Sequence, residues 1–574
     1  MTACENTQPH VTLFLGGPAC GKTTALLEEA HKAESIDQSR VLFITACDRD
    51  CQTIKNHIGT IDSLIRVTSI QNLARNILNE PEAHEIIGRS ARILDSVEEG
   101  ILFEDMRSLG IKQRRLRGLC SFIQRGWSDL ADEDERWLQT LEEELVAQRM
   151  RENLQLVDGM LRSELEACAL RVVSQCERIR NAYQAHTVLA DDFTLMGRAS
   201  EQLVRALATQ ELYMAASDAP GMPVADPYPF ERGVKELLEA SPDTQTHVMH
   251  TCYRPTTSVN IINKLRTEAG RAPLTANDEC KGTIETHYIG GFAEEQEAIL
   301  RTIDAAHAQG TSLSRIAIVG ANGVWRATIA RVLRSNNITV TTTKPTRMRI
   351  RDYRDAEANK TLECKTLEQL SRDPENALAW RTWCALGDYL ANSVGIDALR
   401  APALRAGLTL PQALNALLAG KLDGLCANDP MVEGLLARYR AGLDELRTRD
   451  AETACNPANP PAEREGVLLC NPGELQGQTF DLVIFGGFVN GFFPSRAWCE
   501  NEVIGTARAR EAQLYRTQLA SVAASATNRL VFTGFTTCSL ETAERLDLCV
   551  ERIRLTHGIR MAAISPSRFL SLVH

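Results

Sequence analysis

The sequence lacks several features that would place it in a class at once. No run of eighteen apolar residues occurs in its 574 residues, which argues against a membrane-spanning helix. The start, MTACENTQPH, has neither the basic segment nor the apolar segment of a secretory signal peptide. The 17 cysteines form no C-x-x-C pair, so neither a zinc ribbon nor a disulfide framework is indicated. These absences predict a cytoplasmic protein with reduced thiols and no membrane partner.

An excess of positive charge is also missing. The formal net charge is −11, so the chain has no global electrostatic attraction for nucleic acid. Any binding of DNA must therefore depend on a local groove. The length predicts about three to five domains, and a hydrophobic content of 44% is enough for several packed cores.

The most specific motif that is present lies in residues 11–31, VTLFLGGPACGKTTALLEEAH. It matches G-x-x-x-x-G-K-[ST] completely, and a predicted strand precedes it and a predicted helix follows it, as a phosphate-binding loop requires. Lys22 is expected to reach the β- and γ-phosphates, and the Thr23 hydroxyl to ligate Mg²⁺. An ordinary glycine-rich turn is the alternative, which this context disfavours. The predicted nucleotide-binding residues are Gly17, Pro18, Ala19, Cys20, Gly21, Lys22, Thr23 and Thr24.

Short apolar runs alternate with helical patterns along much of the chain. The runs begin near residues 11, 40, 186, 315 and 480, and this alternation predicts an α/β fold with parallel sheets. Two long intervals, about 80–185 and 365–450, have leucine, isoleucine and valine only at helical spacing and predict helical insertions. The segment NPANPPAERE at 456–465 predicts a linker.

Further short segments follow the loop in a particular order. They are RVLFITACDRD at 40–50, VTSIQNLARNIL at 67–78, VLADDF at 188–193, LYMAASDAPG at 212–221, HTCYRPTTSVNIINKL at 250–265 and GELQGQTFDLVIFGGF at 473–488. Each is a weak match alone. In this order they resemble the motifs of the UvrD/Rep group of superfamily 1 DNA helicases, over essentially the whole chain.

This resemblance implies two RecA-like P-loop domains, each carrying a helical insertion, with ATP between them and single-stranded or tailed DNA across their tops. The first RecA-like domain would comprise residues 1–80 and 186–245, interrupted by an insertion at 81–185. The second would comprise residues 246–364 and 464–574, interrupted by an insertion at 365–463.

The resemblance also implies roles for residues outside the loop. Asp191 matches the aspartate that binds Mg²⁺, and Asp192 takes the position of the glutamate that activates water, with a side chain one methylene shorter. Arg254 matches an arginine finger, which would contact the nucleotide and support catalysis. Without the loop, Asp191 and Asp192 would be interpreted as solvated acids at a strand end, and Arg254 as half of a surface ion pair.

Several other family positions have changed. Ser525 falls where a second arginine finger is usual, with Arg516 and Arg529 as possible substitutes, and SDAPG at 217–221 has no glutamine to sense the γ-phosphate. Slow hydrolysis follows from these losses, since an arginine finger contributes about 10³ to 10⁵ in rate. On the DNA side Ala46 replaces a stacking aromatic residue. The polar residues left for DNA phosphates are Thr45, Ser69 and Gln71.

Three functions remain open at this stage. One is an ATP-dependent DNA helicase or translocase of DNA repair or recombination, attenuated in hydrolysis. Another is an accessory subunit that uses ATP as a conformational clamp beside a partner nuclease or helicase. The short segment before the first strand supports that possibility, because it resembles AddB-type helicase-like subunits. A third is a P-loop ATPase unrelated to DNA, which the ordered motifs disfavour.

Overall fold

The computed structural model describes residues 9–37, 40–58, 64–222, 228–277, 281–342, 356–386, 389–422, 430–449 and 466–573. The predicted linker at 456–465 lies outside these residues. Within the described ranges, no helix combines the length and apolarity needed to cross a bilayer.

A six-stranded parallel sheet forms the centre of the first lobe, with the strand order β3-β2-β4-β5-β1-β6. Its strands are β1 (His10–Gly16), β2 (Val41–Thr45), β3 (Ile65–Ser69), β4 (Ala185–Ala190), β5 (Ala208–Ser217) and β6 (Gln245–Met249). The helices of this part of the chain are α1 (Lys22–Asp37), α2 (Asp48–Ile58), α3 (Ile70–Leu78), α4 (Pro81–Ile87), α5 (Ser96–Asp105), α6 (Gln113–Ser128), α7 (Leu141–Leu156), α8 (Leu165–Gln175), α9 (Glu177–Tyr183), α10 (Arg198–Leu207) and α11 (Gly233–Ala240).

Helices cover both faces of this sheet, because successive residues of a strand point to opposite sides. In β2, Leu42 and Ile44 pack with α3, α8 and α10, whereas Val41 and Phe43 pack with α1 and α2. Burial on both faces explains why β2 is apolar from Val41 to Ile44, with Thr45 as its last residue.

The second lobe is built on an eight-stranded mixed sheet in the order β11-β12-β10-β13-β14-β16-β15, with β9 paired in parallel to β14. Its remaining neighbours are parallel except for β14 with β16 and β15 with β16. The strands from here on are β7 (Thr251–Cys252), β8 (Thr275–Ala276), β9 (Thr283–Gly291), β10 (Ile316–Val319), β11 (Val340–Thr341), β12 (Val467–Cys470), β13 (Phe480–Phe485), β14 (Ala526–Ser539), β15 (Val550–Thr556) and β16 (Ile559–Ile564). The strands β7 and β8 form a separate pair.

The second lobe is also layered, with helices packed on both sides of the sheet. The apolar side chains of β10 alternate between one core shared with α12 and α21 and another shared with α13 and α14. The helices are α12 (Thr256–Glu268), α13 (Phe292–Ala308), α14 (Gly323–Ser335), α15 (Ala356–Arg372), α16 (Ala377–Ala385), α17 (Tyr389–Arg405), α18 (Leu410–Leu418), α19 (Pro430–Arg449), α20 (Arg496–Cys499), α21 (Gly505–Ser525), α22 (Leu540–Arg545) and α23 (Leu570–Val573).

The two helical intervals have their own apolar cores and contact each other. Helices α5 to α7 share one core, α15 to α19 share another, and Leu378 of α16 is buried in the first of them. A buried ion pair crosses the same boundary, where the Arg381 Nε donates to Asp105 Oδ2 at 2.8 Å. The Ser393 hydroxyl of α17 also donates to the Asp105 carboxylate, at 2.8 Å.

The α/β class predicted from sequence is confirmed, and the predicted parallel arrangement holds for the whole first sheet and for most of the second, in which β16 pairs antiparallel with β14 and β15. The five apolar runs correspond to β1, β2, β4, β10 and β13, and both long intervals are helical where they are described. Two predicted boundaries differ from the observed elements. The division at residue 245 falls inside β6, which pairs with β1, and α15 begins at Ala356, nine residues before the predicted insertion. Helices α4, α8 and α9 of the first interval pack on the first sheet and not in a separate body.

Candidate nucleotide site

The phosphate loop, residues 16–23, connects the end of β1 to the start of α1. Gly21 has a φ of +80°, and a Cβ there would lie 3.2 Å from the ring of Tyr253. A Cβ on Gly16 would lie 2.8 Å from the Met249 carbonyl oxygen. Both glycines are therefore required by the close approach of the backbone, one of them also by its left-handed conformation.

The two polar side chains at the start of α1 have defined partners. Lys22 Nζ donates to the Gly17 carbonyl at 2.7 Å and to the Gly16 carbonyl at 3.3 Å, so its ammonium group lies over the loop. Thr23 Oγ1 donates to Asp191 Oδ2 at 2.7 Å. Asp191 follows the last residue of β4 and is 168 positions away in sequence, and β5 lies between β4 and β1 in the sheet.

Asp191 is buried, whereas Asp192 is half-buried. Burial raises the pKa of Asp191 to about 7, with a further increase from the charge on Asp192. Burial also raises the pKa of Asp192, against the opposing effects of Lys22 and of a hydrogen bond from the Gln476 side chain. Two adjacent carboxylates in such surroundings repel each other, and a nearby cation lowers the free energy of the charged forms.

The donor set under the loop suits Mg²⁺, a hard cation that prefers oxygen ligands. It consists of the Thr23 hydroxyl and the Asp191 carboxylate. Mg²⁺ in nucleotide sites takes only one or two protein ligands and completes its shell with phosphate and water. Within the described residues, no group of three or more His, Cys, Asp or Glu side chains is placed to hold a metal ion.

A cavity of about 680 Å³ opens above the loop and is shared by the two lobes. The first lobe contributes the loop, Asp192 and the turn after β5, and the second lobe contributes Tyr253, Arg254 and parts of α12 and α21. The packing is continuous across this boundary, because Cys20 and Ala19 of the loop pack in the core of the second lobe. A backbone hydrogen bond from Tyr253 N to Ala19 O, 3.0 Å long, connects the lobes at the same point.

Arg254 lines this cavity, as the motif order predicts. Its Nε donates to the Ala524 carbonyl at 2.5 Å and its Nη1 to the Tyr253 carbonyl at 2.7 Å. Burial lowers its pKa. Within the described residues the guanidinium group is held by these carbonyls and forms no ion pair with a carboxylate, so the surface ion pair considered from sequence is not formed.

Ser525, at the position of the second finger, also lines the cavity and is 2% exposed. Its hydroxyl donates to the Leu475 carbonyl at 3.1 Å and to the Ser521 carbonyl at 2.9 Å. Of the possible substitutes, Arg516 lines the cavity and is paired with Glu268 at 3.1 Å. Arg529 is paired with Glu285 at 2.7 Å and is not among the residues that line the cavity, so this arrangement does not support it as a substitute for the finger.

Two of the three side chains predicted to contact DNA are placed differently from that prediction. The Thr45 hydroxyl is 1% exposed and donates to the Cys47 carbonyl at 2.8 Å. The Ser69 hydroxyl is 0% exposed, accepts from Asn72 N as the cap of α3 and donates to Asp48. Gln71 lies half-buried on the first turn of α3. The hydroxyls of Thr45 and Ser69 therefore serve the packing of the first lobe.

The sequence also failed to indicate some residues of the site. Asp218, after β5, forms a bidentate ion pair with Arg266 of α12, with distances of 2.8 and 2.6 Å, and Arg266 lines the cavity together with Arg271. Tyr253 and Gln476 are also in the lining, Tyr253 with 54% exposure. No spacing rule connects RTEAGR at 266–271 with the loop, so the position of Arg266 and Arg271 in the cavity could not be predicted from the sequence pattern.

The chain matches no protein-family model and no curated protein. The functional assignment therefore depends on the residues of the site and on the order of the motifs.

Proposed function

We propose that the chain is an ATP-binding, helicase-type ATPase with slow hydrolysis, similar to the UvrD/Rep helicases and acting on single-stranded or tailed DNA in repair or recombination. The hydrogen bond between Thr23 and Asp191 carries this proposal, because it joins the two predicted Mg²⁺ ligands beneath a complete phosphate loop. One wholly parallel sheet and one mostly parallel sheet, with a cavity shared by their two lobes, support the accompanying proposal of two RecA-like domains.

Each part of the site would have a distinct role in binding the nucleotide. The backbone N–H groups of the loop and the N-terminus of α1 would surround the phosphates, and Lys22 would add a positive charge. Thr23 and Asp191 would hold Mg²⁺, which neutralises charge on the terminal phosphates when bound. Arg254 would contact the nucleotide from the second lobe, so that binding draws the lobes together.

Hydrolysis also requires groups that activate water and stabilise the transition state, and the site offers fewer of these. Asp192 is the group available to orient or deprotonate water, with a shorter side chain than glutamate. Ser525 offers no charge to the transition state, and its hydroxyl is engaged by backbone carbonyls. We therefore expect the chain to bind ATP well and to hydrolyse it slowly.

A second candidate function is an accessory subunit that uses ATP as a conformational clamp beside a partner nuclease or helicase. The engagement of Thr45 and Ser69 in internal hydrogen bonds favours it, because these positions would contact DNA in an active helicase. The contacts of the Arg49 guanidinium also favour the accessory role. This guanidinium donates to the Glu474 and Gln476 carbonyls, each at 2.9 Å, and so connects the two lobes near the same edge.

The rate of ATP hydrolysis with and without single-stranded DNA tests the two functions. We expect ATP binding, and turnover well below the range of about 1–100 s⁻¹ that is typical of phosphoryl-transfer enzymes, with an increase on addition of DNA. Fast turnover with processive unwinding of a tailed duplex would contradict the attenuated role. ATP binding with no DNA-dependent turnover would favour the clamp, and absence of ATP binding would reject both.

Replacement of Asp191 by Asn tests the assignment of the metal ligands. We expect Asp191→Asn to remove most of the Mg²⁺ dependence of ATP binding, since an amide oxygen is a weaker ligand than a carboxylate. The measurement is calorimetric titration with ATP in the presence of Mg²⁺ and of a chelator. The matched control is Asp243→Asn, on an exposed turn before β6. If Asp191→Asn keeps the full Mg²⁺ dependence, the metal ligand is another group.

A further inference from the structure

Five cationic side chains line the shared cavity: Lys22, Arg254, Arg266, Arg271 and Arg516. Four of them have hydrogen-bond partners already described. The Arg271 guanidinium, by contrast, has no hydrogen-bond or ion-pair partner among the residues that the structure describes. Burial lowers its pKa, as expected for a partly desolvated cation.

The position of Arg271 is set by the turn that follows α12. Its backbone N–H donates to the Arg266 carbonyl at 2.8 Å, and Gly270 before it has a φ of +71°. Arg266 is in turn fixed by Asp218, and its Nε donates to the Ala272 carbonyl at 2.8 Å. The turn is therefore attached to the end of β5 in the first lobe by a bidentate ion pair.

Arg266 before this turn and Leu274 after it lie against the beginning of the phosphate loop. A Cβ on Gly17 would be 2.8 Å from Arg266 Nη1 and 2.7 Å from Leu274 Cδ1. The Gly17 carbonyl also accepts the hydrogen bond from Lys22, the residue whose ammonium group serves the β- and γ-phosphates. Tyr253, on the other hand, lies against Gly21. Arg266 is thus on the terminal-phosphate side of the loop, and Arg271, in the turn that follows it, lines the same cavity.

We infer that Arg271 contacts the terminal phosphate of a bound nucleoside triphosphate and that the ion pair of Arg266 with Asp218 positions it there. This inference rests on the proposed nucleotide-binding function. Arg271 would supply from the second lobe a positive charge that Ser525 lacks. No sequence motif predicts a cation at this position. Because Arg271 belongs to the second lobe, the contact makes the closed arrangement of the lobes depend on the third phosphate.

The test compares a triphosphate with a diphosphate. Wild type and Arg271→Ala are titrated calorimetrically, with Mg²⁺, against the non-hydrolysable analogue β,γ-imido-ATP and against ADP. We expect Arg271→Ala to lower affinity for the analogue by about tenfold to a hundredfold, the loss of one charge-assisted hydrogen bond. Affinity for ADP should change by less than about threefold, and Arg271→Lys should recover part of the loss.

Arg529→Ala is the matched control, because it removes an arginine from the same lobe outside the cavity, and neither affinity should change. Equal losses for both nucleotides in Arg271→Ala, or no loss for either, would overturn the inference while leaving the proposed function standing. If wild type binds neither nucleotide, the proposed function fails and the inference fails with it. Thermal unfolding of Arg271→Ala and Arg271→Lys should match wild type, and a lower midpoint in both would assign Arg271 a structural role and overturn the inference.

Discussion

Lys22→Ala is expected to lower affinity for ATP by more than about tenfold while leaving thermal stability nearly unchanged. The Lys22 ammonium group lies over the phosphate loop, and its partners there are two carbonyl oxygens of that loop. Its loss removes the one side-chain cation that the loop itself offers to the β- and γ-phosphates, and charge-assisted hydrogen bonds of this kind are the strong ones. Calorimetric titration with Mg²⁺ and ATP measures the affinity, and scanning calorimetry measures the stability.

Lys32→Ala is the control for Lys22→Ala. Lys32 lies on the same helix, pairs with Glu29 and is 61% exposed, so its removal should change neither quantity. Equal ATP affinity in Lys22→Ala and wild type would contradict the assignment of residues 16–23 as the nucleotide site. The Arg271 variants give separate information, because loss of Lys22 should weaken binding of the diphosphate as well as of the triphosphate.

The second large effect concerns stability. We expect Asp105→Ala to destabilise the chain by about 3–5 kcal/mol, because it leaves the Arg381 guanidinium without its carboxylate in the interior. The side chains of Asp105 and Arg381 are only 1% and 2% exposed. Since Trp380 and Trp383 lie on the same helix as Arg381, urea unfolding followed by tryptophan fluorescence reports on this region.

Two further variants make this stability prediction specific. The double replacement Asp105→Leu with Arg381→Met should recover much of the loss, since a buried ion pair contributes little more than apolar packing of similar volume. Glu142→Ala breaks the exposed pair with Arg115 and should cost less than about 1 kcal/mol. A loss below about 1 kcal/mol for Asp105→Ala would mean that water reaches the Arg381 guanidinium.

Stability at this boundary is also relevant to function. Asp105 lies on α5 of the first helical interval, and both Arg381 and Ser393 lie on helices of the second. The ion pair therefore joins the two intervals, and any movement of one interval relative to the other would have to break it. The free energy needed to break this ion pair would suit the proposed clamp better than a motor whose parts move in every cycle.

Local sequence patterns were sufficient to predict those parts of the molecule whose structure depends on residues close together in the chain. The close turn between β1 and α1 could be predicted because its glycines, Lys22 and Thr23 occur together in eight residues between an apolar run and a helical pattern. The strands β1, β2, β4, β10 and β13 could be predicted because burial on both faces of a parallel sheet requires continuous apolar runs. The α/β class follows from their alternation with helical segments.

Tertiary structure alone decided the contacts between distant residues. The sequence indicates Thr23 and Asp191 separately, but only the sheet order, with β5 between β4 and β1, places their oxygens 2.7 Å apart. Burial of Thr45 and Ser69 could not be foreseen either, because a hydroxyl at a strand end can face solvent or cap a helix. That choice depends on which partner the packing provides.

Four arginines of the second lobe show most clearly the difference between what the sequence indicates and what the tertiary structure decides. By sequence, Arg254, Arg516 and Arg529 are candidate arginine fingers, and no motif indicates Arg271. By structure, one is held by carbonyls, one has no partner within the described residues, one pairs with Glu268 and one lies outside the cavity. A long, flexible side chain takes its role from the groups that surround it. The sequence thus determined the elements and the chemistry of the loop, whereas the packing of the two lobes determined which charges meet there.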